Sequence, residues 1–237
     1  MKKHIPNLIT CCNGFLGAIA VVFALKGSIE TAIILIICAA IFDFLDGFSA
    51  RLLKVHSPVG KDLDSLSDII SFGVAPAAVL YVWMSFCFDN LPPQWQIFPL
   101  TLLPYFAFII VPFSAYRLAK FNNDTRQQYY FYGLPTPANA FFIAFLPFAA
   151  DHLPLLDNFW VLMGITLIFS ILLVVEFPMF ALKFSTFSFK KNWVRYLFLF
   201  LSAILLITFQ LAAFPLIIIL YILISLMLLG LSKVIHQ

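Results

Sequence analysis

The chain has 237 residues, of which 63% are hydrophobic and only 11% charged, and its net charge is +3. A soluble domain of this length could not hide so much apolar surface in one core. Continuous apolar runs near the ~20 residues of a membrane helix also exclude a β-barrel, whose strands alternate over short segments, and the small positive charge calls for no nucleic-acid partner.

The fold class expected is an all-α polytopic membrane protein. In chain order, the apolar runs predict about eight transmembrane helices over residues 8–25, 29–51, 60–84, 97–119, 136–150, 158–177, 194–210 and 213–231. The first run follows Lys2 and Lys3 like a signal peptide, but Asn7 and Asn13 interrupt it and the cleavage pattern is weak, so an uncleaved span is expected. Gln210 to Pro215 is the break between the last two runs, with Pro215 suited to a helix start. No repeat or low-complexity stretch divides the chain, so residues 1–237 are expected to form a single domain.

Charge orients the bundle. With eight spans, both termini and the loops near 52–59, 120–135 and 178–193 share one side, which holds 13 of the 14 basic residues and leaves Lys26 opposite. The positive-inside rule puts that side, and both termini, in the cytoplasm. The same loops can attract anionic lipid heads. Cys11, Cys12, Cys38 and Cys87 show no metal-ligand spacing and read as small apolar fillers.

Chemistry concentrates at the cytoplasmic ends of the second and third spans. Asp43 and Asp46 are three residues apart, and Asp64 and Asp68 four apart, so each pair shares a helix face. One charge near the bilayer centre costs roughly 2.5–3.5 kcal/mol and four could cost on the order of 10 kcal/mol, which divalent cations would offset. Hard carboxylate oxygens suit Mg2+ or Mn2+, and two ions ~3.5–4 Å apart can clamp both the attacking and the leaving oxygen of a phosphoryl transfer. Ser57-Pro58 marks the start of the third helix, and the small residues Gly47, Ala50 and Gly60 would let a bulky ligand approach the backbone. Taken singly, each of these residues has a plain reading: a solvated helix-end aspartate, small residues packing helices, Arg51 and Lys54 snorkelling to the interface, and His56 solvated in a turn.

Their joint spacing is D-x-x-D-G-x-x-A-R-x8-G-x3-D-x3-D, eight defined positions over residues 43–68. It resembles the signature of the CDP-alcohol phosphotransferases. That resemblance implies a magnesium-dependent enzyme that transfers a phosphatidyl group from CDP-diacylglycerol to a small alcohol and releases CMP. It implies that Asp43, Asp46 and Asp64 bind a first metal ion and Asp43, Asp64 and Asp68 a second. Asp68 would be the general base, or a metal ligand only. Gly47, Ala50 and Gly60 would line the CDP site, with Arg51 near phosphate, and the enzyme would be a homodimer in the cytoplasmic (inner) membrane.

Three further segments resemble the integral-membrane phosphatidylserine synthase branch of that family: Ile5-Pro6-Asn7-Leu8-Ile9-Thr10 with Asn13, Arg117-Leu118-Ala119-Lys120-Phe121-Asn122, and Gly133-Leu134-Pro135-Thr136-Pro137-Ala138. Lys120 stands where the branch has arginine. L-Serine is then the expected acceptor. Its carboxylate needs a cation, and Arg117, Lys120 and Arg126 lie on the metal side; a guanidinium can grip a carboxylate with two hydrogen bonds. Asn122, Asn139 and Thr136 are polar groups near that face, although Thr136-Pro137 also reads as a helix start. The same basic residues could hold glycerol 3-phosphate or an inositol compound. Of another class, a cation transporter would spread its carboxylates over several spans and depths. Residues 158–231 contain one acidic residue, Glu176, expected at a helix end, and Lys183 to Arg195 read as a positive-inside loop.

Overall fold

A computed structural model describes residues 4–55, 57–123, 131–180 and 189–235. The protein is an all-α polytopic membrane protein. Helices α1 (His4–Leu25) and α2 (Ile29–Leu53) form an antiparallel hairpin. Its turn is closed by Gly27 at φ 81°, with the Ser28 N–H donating back to Phe23 O; a left-handed residue here is what glycine adopts without steric cost. Helix α2 ends on Lys54 in the same left-handed region, its N–H donating to the last-turn carbonyls.

The next rod runs from Pro58 to Asp89 in three parts: α3 (Pro58–Asp68), a π-helical turn (Ile69–Val74) and α4 (Ala75–Asp89). Ser57 caps it as its sequence predicts, Oγ accepting from Gly60 N at 3.4 Å with Pro58 in the first turn. Nothing in the residues Ile69–Val74 announces the π turn. A 3-10 stretch (Leu100–Ile109) passes into α5 (Ile110–Asn123). Beyond it come α6 (Thr136–Ala144), α7 (Leu146–Ala150), α8 (Phe159–Val174), α9 (Phe189–Phe209) and α10 (Ala213–Ile235). The expected break between the last two is real, with Gln210 at φ 48°. Antiparallel two-residue strands β1 (Phe131–Tyr132) and β2 (Pro178–Met179) tie the entry of α6 to the exit of α8.

Helical segments lie at each of the eight expected places, but they differ in length. His4–Leu25, Ile29–Leu53, Pro58–Asp89, Leu100–Asn123 and Asn192–Leu229 are long and apolar enough to cross a membrane, the last including the turn at Gln210. Helix α8 has 16 residues. The run at 136–150 is divided at Phe145, which ends α6, and Pro147 in the first turn of α7 has no N–H to continue the ladder.

Small residues set the packing around the site. Ala20, Ala24, Ala32 and Ala39 of the hairpin and Ala75, Ala77 and Ala78 of α4 are wholly buried, which lets membrane helices approach closely. The closest approach is at Gly17, where an added Cβ would lie 2.7 Å from Ser71 Cα in the π turn. A larger aromatic core joins α4, α6, α8 and α10, with Phe142 stacked on Phe169 at 3.5 Å between centroids. Outward side chains such as Phe200 and Ile207 are exposed, as befits a surface whose solvent is lipid.

Candidate active site

Helix α2 carries Asp43 and Asp46, and α3 carries Asp64 and Asp68. The two helices bring one carboxylate oxygen each of Asp43, Asp64 and Asp68 within 4.8 Å of one another. Asp46 sits one turn beyond Asp43, is 7% exposed, and has Oδ2 buried without a hydrogen-bond partner among the described residues; Asp64 Oδ1 is in the same condition. No salt bridge reaches these four carboxylates among the described residues. Buried like charges without cations are unstable, so the donor set fits hard divalent metal: all-oxygen ligands, clustered and unpaired. Asp43, Asp64 and Asp68 could hold one ion, and Asp46 adds a fourth carboxylate beside them.

A cleft of about 300 Å³ opens next to the cluster, lined by Thr10, Asp46, Gly47, Ala50, Gly60 and Asp64 among others. A Cβ on Gly47 would meet nothing within 4 Å, so this glycine faces the open cleft. One on Gly60 would stand 3.0 Å from Asn7 Oδ1, so Gly60 also lets α1 close over the start of α3. Arg51 does not line the cleft; its Nε donates to Gly47 O of its own helix at 2.9 Å.

Helix α1 supplies a side of the site that the acidic motif does not announce. Asn13, wholly buried, donates from Nδ2 to Asp68 Oδ1 at 3.2 Å, and its carbonyl accepts from Ser71 Oγ at 2.9 Å. Thr10 lines the cleft one turn earlier. The signal was present in the polar residues Asn7, Thr10 and Asn13, spaced by three in an apolar span and so on one helix face. Lys61, also in the cleft wall, donates from Nζ to Asn122 O, and Asn122 donates to Ser65 Oγ at 2.6 Å, tying α3 to the end of α5.

The three expected serine contacts separate. Arg117 is 7% exposed; its Nη1 donates to Thr136 Oγ1 at 3.2 Å, its guanidinium carbon stands 5.3 Å from the Phe121 ring centre, and its Nε has no hydrogen-bond partner among the described residues. Helix α6 starts at Thr136 with Pro135 at its N-cap, a residue with no side-chain acceptor to cap the helix. Lys120 instead pairs with Glu176 at 2.6 Å, both partly exposed, joining α5 to the segment after α8. Arg126 lies outside the described residues, as do His56 and Lys183.

Membrane helices, a carboxylate cluster on two of them that could hold a divalent metal, and a glycine-lined cleft make up the candidate site. The chain belongs to the CDP-alcohol phosphatidyltransferase family, whose profile matches residues 3–175. Among its relatives, the CDP-diacylglycerol–serine O-phosphatidyltransferase of Helicobacter pylori is 35% identical over 137 residues, 57% of this chain and 53% of the relative. The archaetidylserine synthase of Methanothermobacter thermautotrophicus is 36% identical over 140 residues, 57% and 54% of the two chains. The CDP-diacylglycerol–serine O-phosphatidyltransferase of Saccharomyces cerevisiae is 32% identical over 172 residues, 65% and 57%. The matches thus span about half the length of these relatives.

Proposed function

We propose that the protein is a CDP-diacylglycerol–serine O-phosphatidyltransferase, acting as a single domain over residues 1–237. The observation that carries this reading is the meeting of Asp43, Asp64 and Asp68 within 4.8 Å beside the cleft containing Gly47, Ala50 and Gly60, in a chain of this family whose relatives bear that name. The serine hydroxyl attacks the phosphatidyl phosphorus of CDP-diacylglycerol; the new P–O bond forms as the bond to the CMP oxygen breaks, and CMP leaves.

Two Mg2+ or Mn2+ ions, one at Asp43, Asp46 and Asp64 and one at Asp43, Asp64 and Asp68, would supply charge stabilisation to the phosphates. Asp68 takes the hydroxyl proton, and Asn13 holds that carboxylate in place through its 3.2 Å hydrogen bond. Gly47, Ala50 and Gly60 admit the CDP moiety, and Arg51, at the end of α2, adds positive potential toward its phosphates. Arg117 receives the serine carboxylate. Lys120, with Glu176 as its partner, contributes to the same basic region, as does Arg126.

All eight helical segments cross the bilayer in this reading, with both termini and the site on the cytoplasmic face of the inner membrane; the bias of 13 of 14 basic residues to that side supports the orientation. The acyl chains of the donor stay among membrane lipids while its headgroup reaches the carboxylates, and the enzyme works as a homodimer.

The test is CMP release by detergent-purified protein supplied with CDP-diacylglycerol and Mg2+, comparing L-serine, glycerol 3-phosphate and myo-inositol. Release that needs L-serine and is lost with Asp68→Asn and with chelator is the expected result. Release driven by another alcohol would discard serine and keep the family chemistry. Silence with every acceptor from folded protein would sink the transferase reading.

A further inference from the structure

Nine buried side-chain nitrogen and oxygen atoms lack a hydrogen-bond partner among the described residues; Ser202 Oγ on α9 stands apart and the other eight fall into two groups. Asn13 Oδ1, Asp46 Oδ2 and Asp64 Oδ1 belong to the carboxylate centre. Ser114 Oγ, Arg117 Nε, both amide atoms of Asn139 and Ser170 Oγ lie on α5, α6 and α8. Ser114, Asn139 and Ser170 are each 0% exposed. Leaving such groups unpaired in an apolar bundle destabilises the fold, so they mark a place prepared for a polar occupant.

Helices α5 and α6, which carry most of this group, pack against the π turn that follows Asp68. The Arg117–Thr136 bond pins α5 to α6, and Asn139 stands one turn beyond Thr136 on the same face. Ser114 stands one turn before Arg117, its Cβ 3.5 Å from the place of a Cβ on Gly73 in the π turn that follows Asp68. Ser170 lies between Phe169, stacked on Phe142 of α6, and Leu172, whose carbonyl accepts from Leu134 N at the entry to α6.

We propose that Asn139 is a specificity-determining residue of the acceptor site, its Oδ1 accepting a hydrogen bond from the acceptor's ammonium group while Arg117 holds the carboxylate. A guanidinium offers donors alone, so it cannot receive an ammonium; a carboxamide can. Ser114 and Ser170 oxygens supply further acceptors. The proposal rests on the serine-transferase reading and names the group that separates a zwitterionic amino alcohol from a plain hydroxy acid.

The experiment compares L-serine with 3-hydroxypropanoate, which lacks only the ammonium, in CMP-release assays of wild type, Asn139→Leu and Asn139→Asp. In Asn139→Leu the KM for L-serine rises about 10- to 100-fold, as for loss of a hydrogen bond to a charged group, while that for 3-hydroxypropanoate moves by less than about threefold. Asn139→Asp keeps an acceptor and retains the preference for L-serine. An unchanged L-serine KM, or an equal loss for both substrates, overturns the role of Asn139 while leaving the serine activity standing. Loss of the preference in Asn139→Asp does the same, and provides the test if Asn139→Leu cannot be purified. Wild-type protein that ignores L-serine but uses another alcohol overturns the activity reading, and this proposal with it.

Discussion

Replacing Gly17 with alanine should impair catalysis at a distance from the carboxylates. The added Cβ would overlap Ser71 Oγ and lie 2.7 Å from Ser71 Cα and 2.9 Å from its backbone nitrogen. The hydroxyl can rotate away, but the backbone of a buried π turn cannot. Carbon contacts settle near 3.5–4.0 Å, so α1 must withdraw by about 1 Å. Overpacking of this kind costs ~1–3 kcal/mol, against a gain of up to ~1 kcal/mol from removing a mid-helix glycine. The larger effect is on Asn13, one turn away, whose 3.2 Å bond to Asp68 stretches beyond hydrogen-bonding range. A displacement of that size near a reacting group can cost about 100-fold in rate. Thermal melts and CMP release would be measured beside Gly164→Ala on α8, where a Cβ meets nothing within 4 Å. The control should match wild type in CMP release and melt at or slightly above it, since it gains helix propensity without a clash. Should Gly17→Ala behave like Gly164→Ala, the tight α1 contact does not position Asp68.

Metal should stabilise the fold as well as serve the reaction: at 100 times its dissociation constant, Mg2+ adds ~2.7 kcal/mol, seen as a higher melting temperature that chelator reverses. Asp43→Asn removes one of three crowded charges, so the chelated variant should melt above chelated wild type and respond less to Mg2+; the opposite order would refute the charge-crowding account. Gly47→Ala should not lower the melting temperature, because its Cβ enters open cleft and the helix gains propensity, yet should raise the KM for CDP-diacylglycerol; an unchanged KM would remove Gly47 from the donor site. The Lys120–Glu176 pair is 30% and 44% exposed, so a double-mutant cycle in thermal or denaturant unfolding should return a coupling below ~1 kcal/mol. A much larger value would mean that the pair is desolvated by something covering it.

Much of the site was legible because its chemistry obeys helix periodicity. Asp43 with Asp46 and Asp64 with Asp68 fall on shared faces at spacings of three and four, and Ser57-Pro58 sets where the second pair's helix begins. The helical segments followed from apolar run length, since a bilayer demands it. The role of Thr136 was harder to see: Thr-Pro suits a helix start in any sequence, whereas its bond to Arg117 depends on α5 and α6 meeting, a contact across 19 residues of chain. Lys120 resembled a substrate cation by its neighbours in sequence, but Glu176 pairs with it from the segment after α8.

The sequence by itself determined that this is a helical membrane protein, which segments are helical, and which carboxylates share a face. Those properties depend on hydropathy and on residues within one or two turns of each other. Tertiary structure alone decided that Asn13 of α1 reaches Asp68, that the chain opens into a π turn beside Gly17, and that Arg117 is buried against Thr136 of α6, the helix that also buries Asn139. These features arise from the crossing of helices far apart in sequence, where the size of one residue sets how closely another helix can approach.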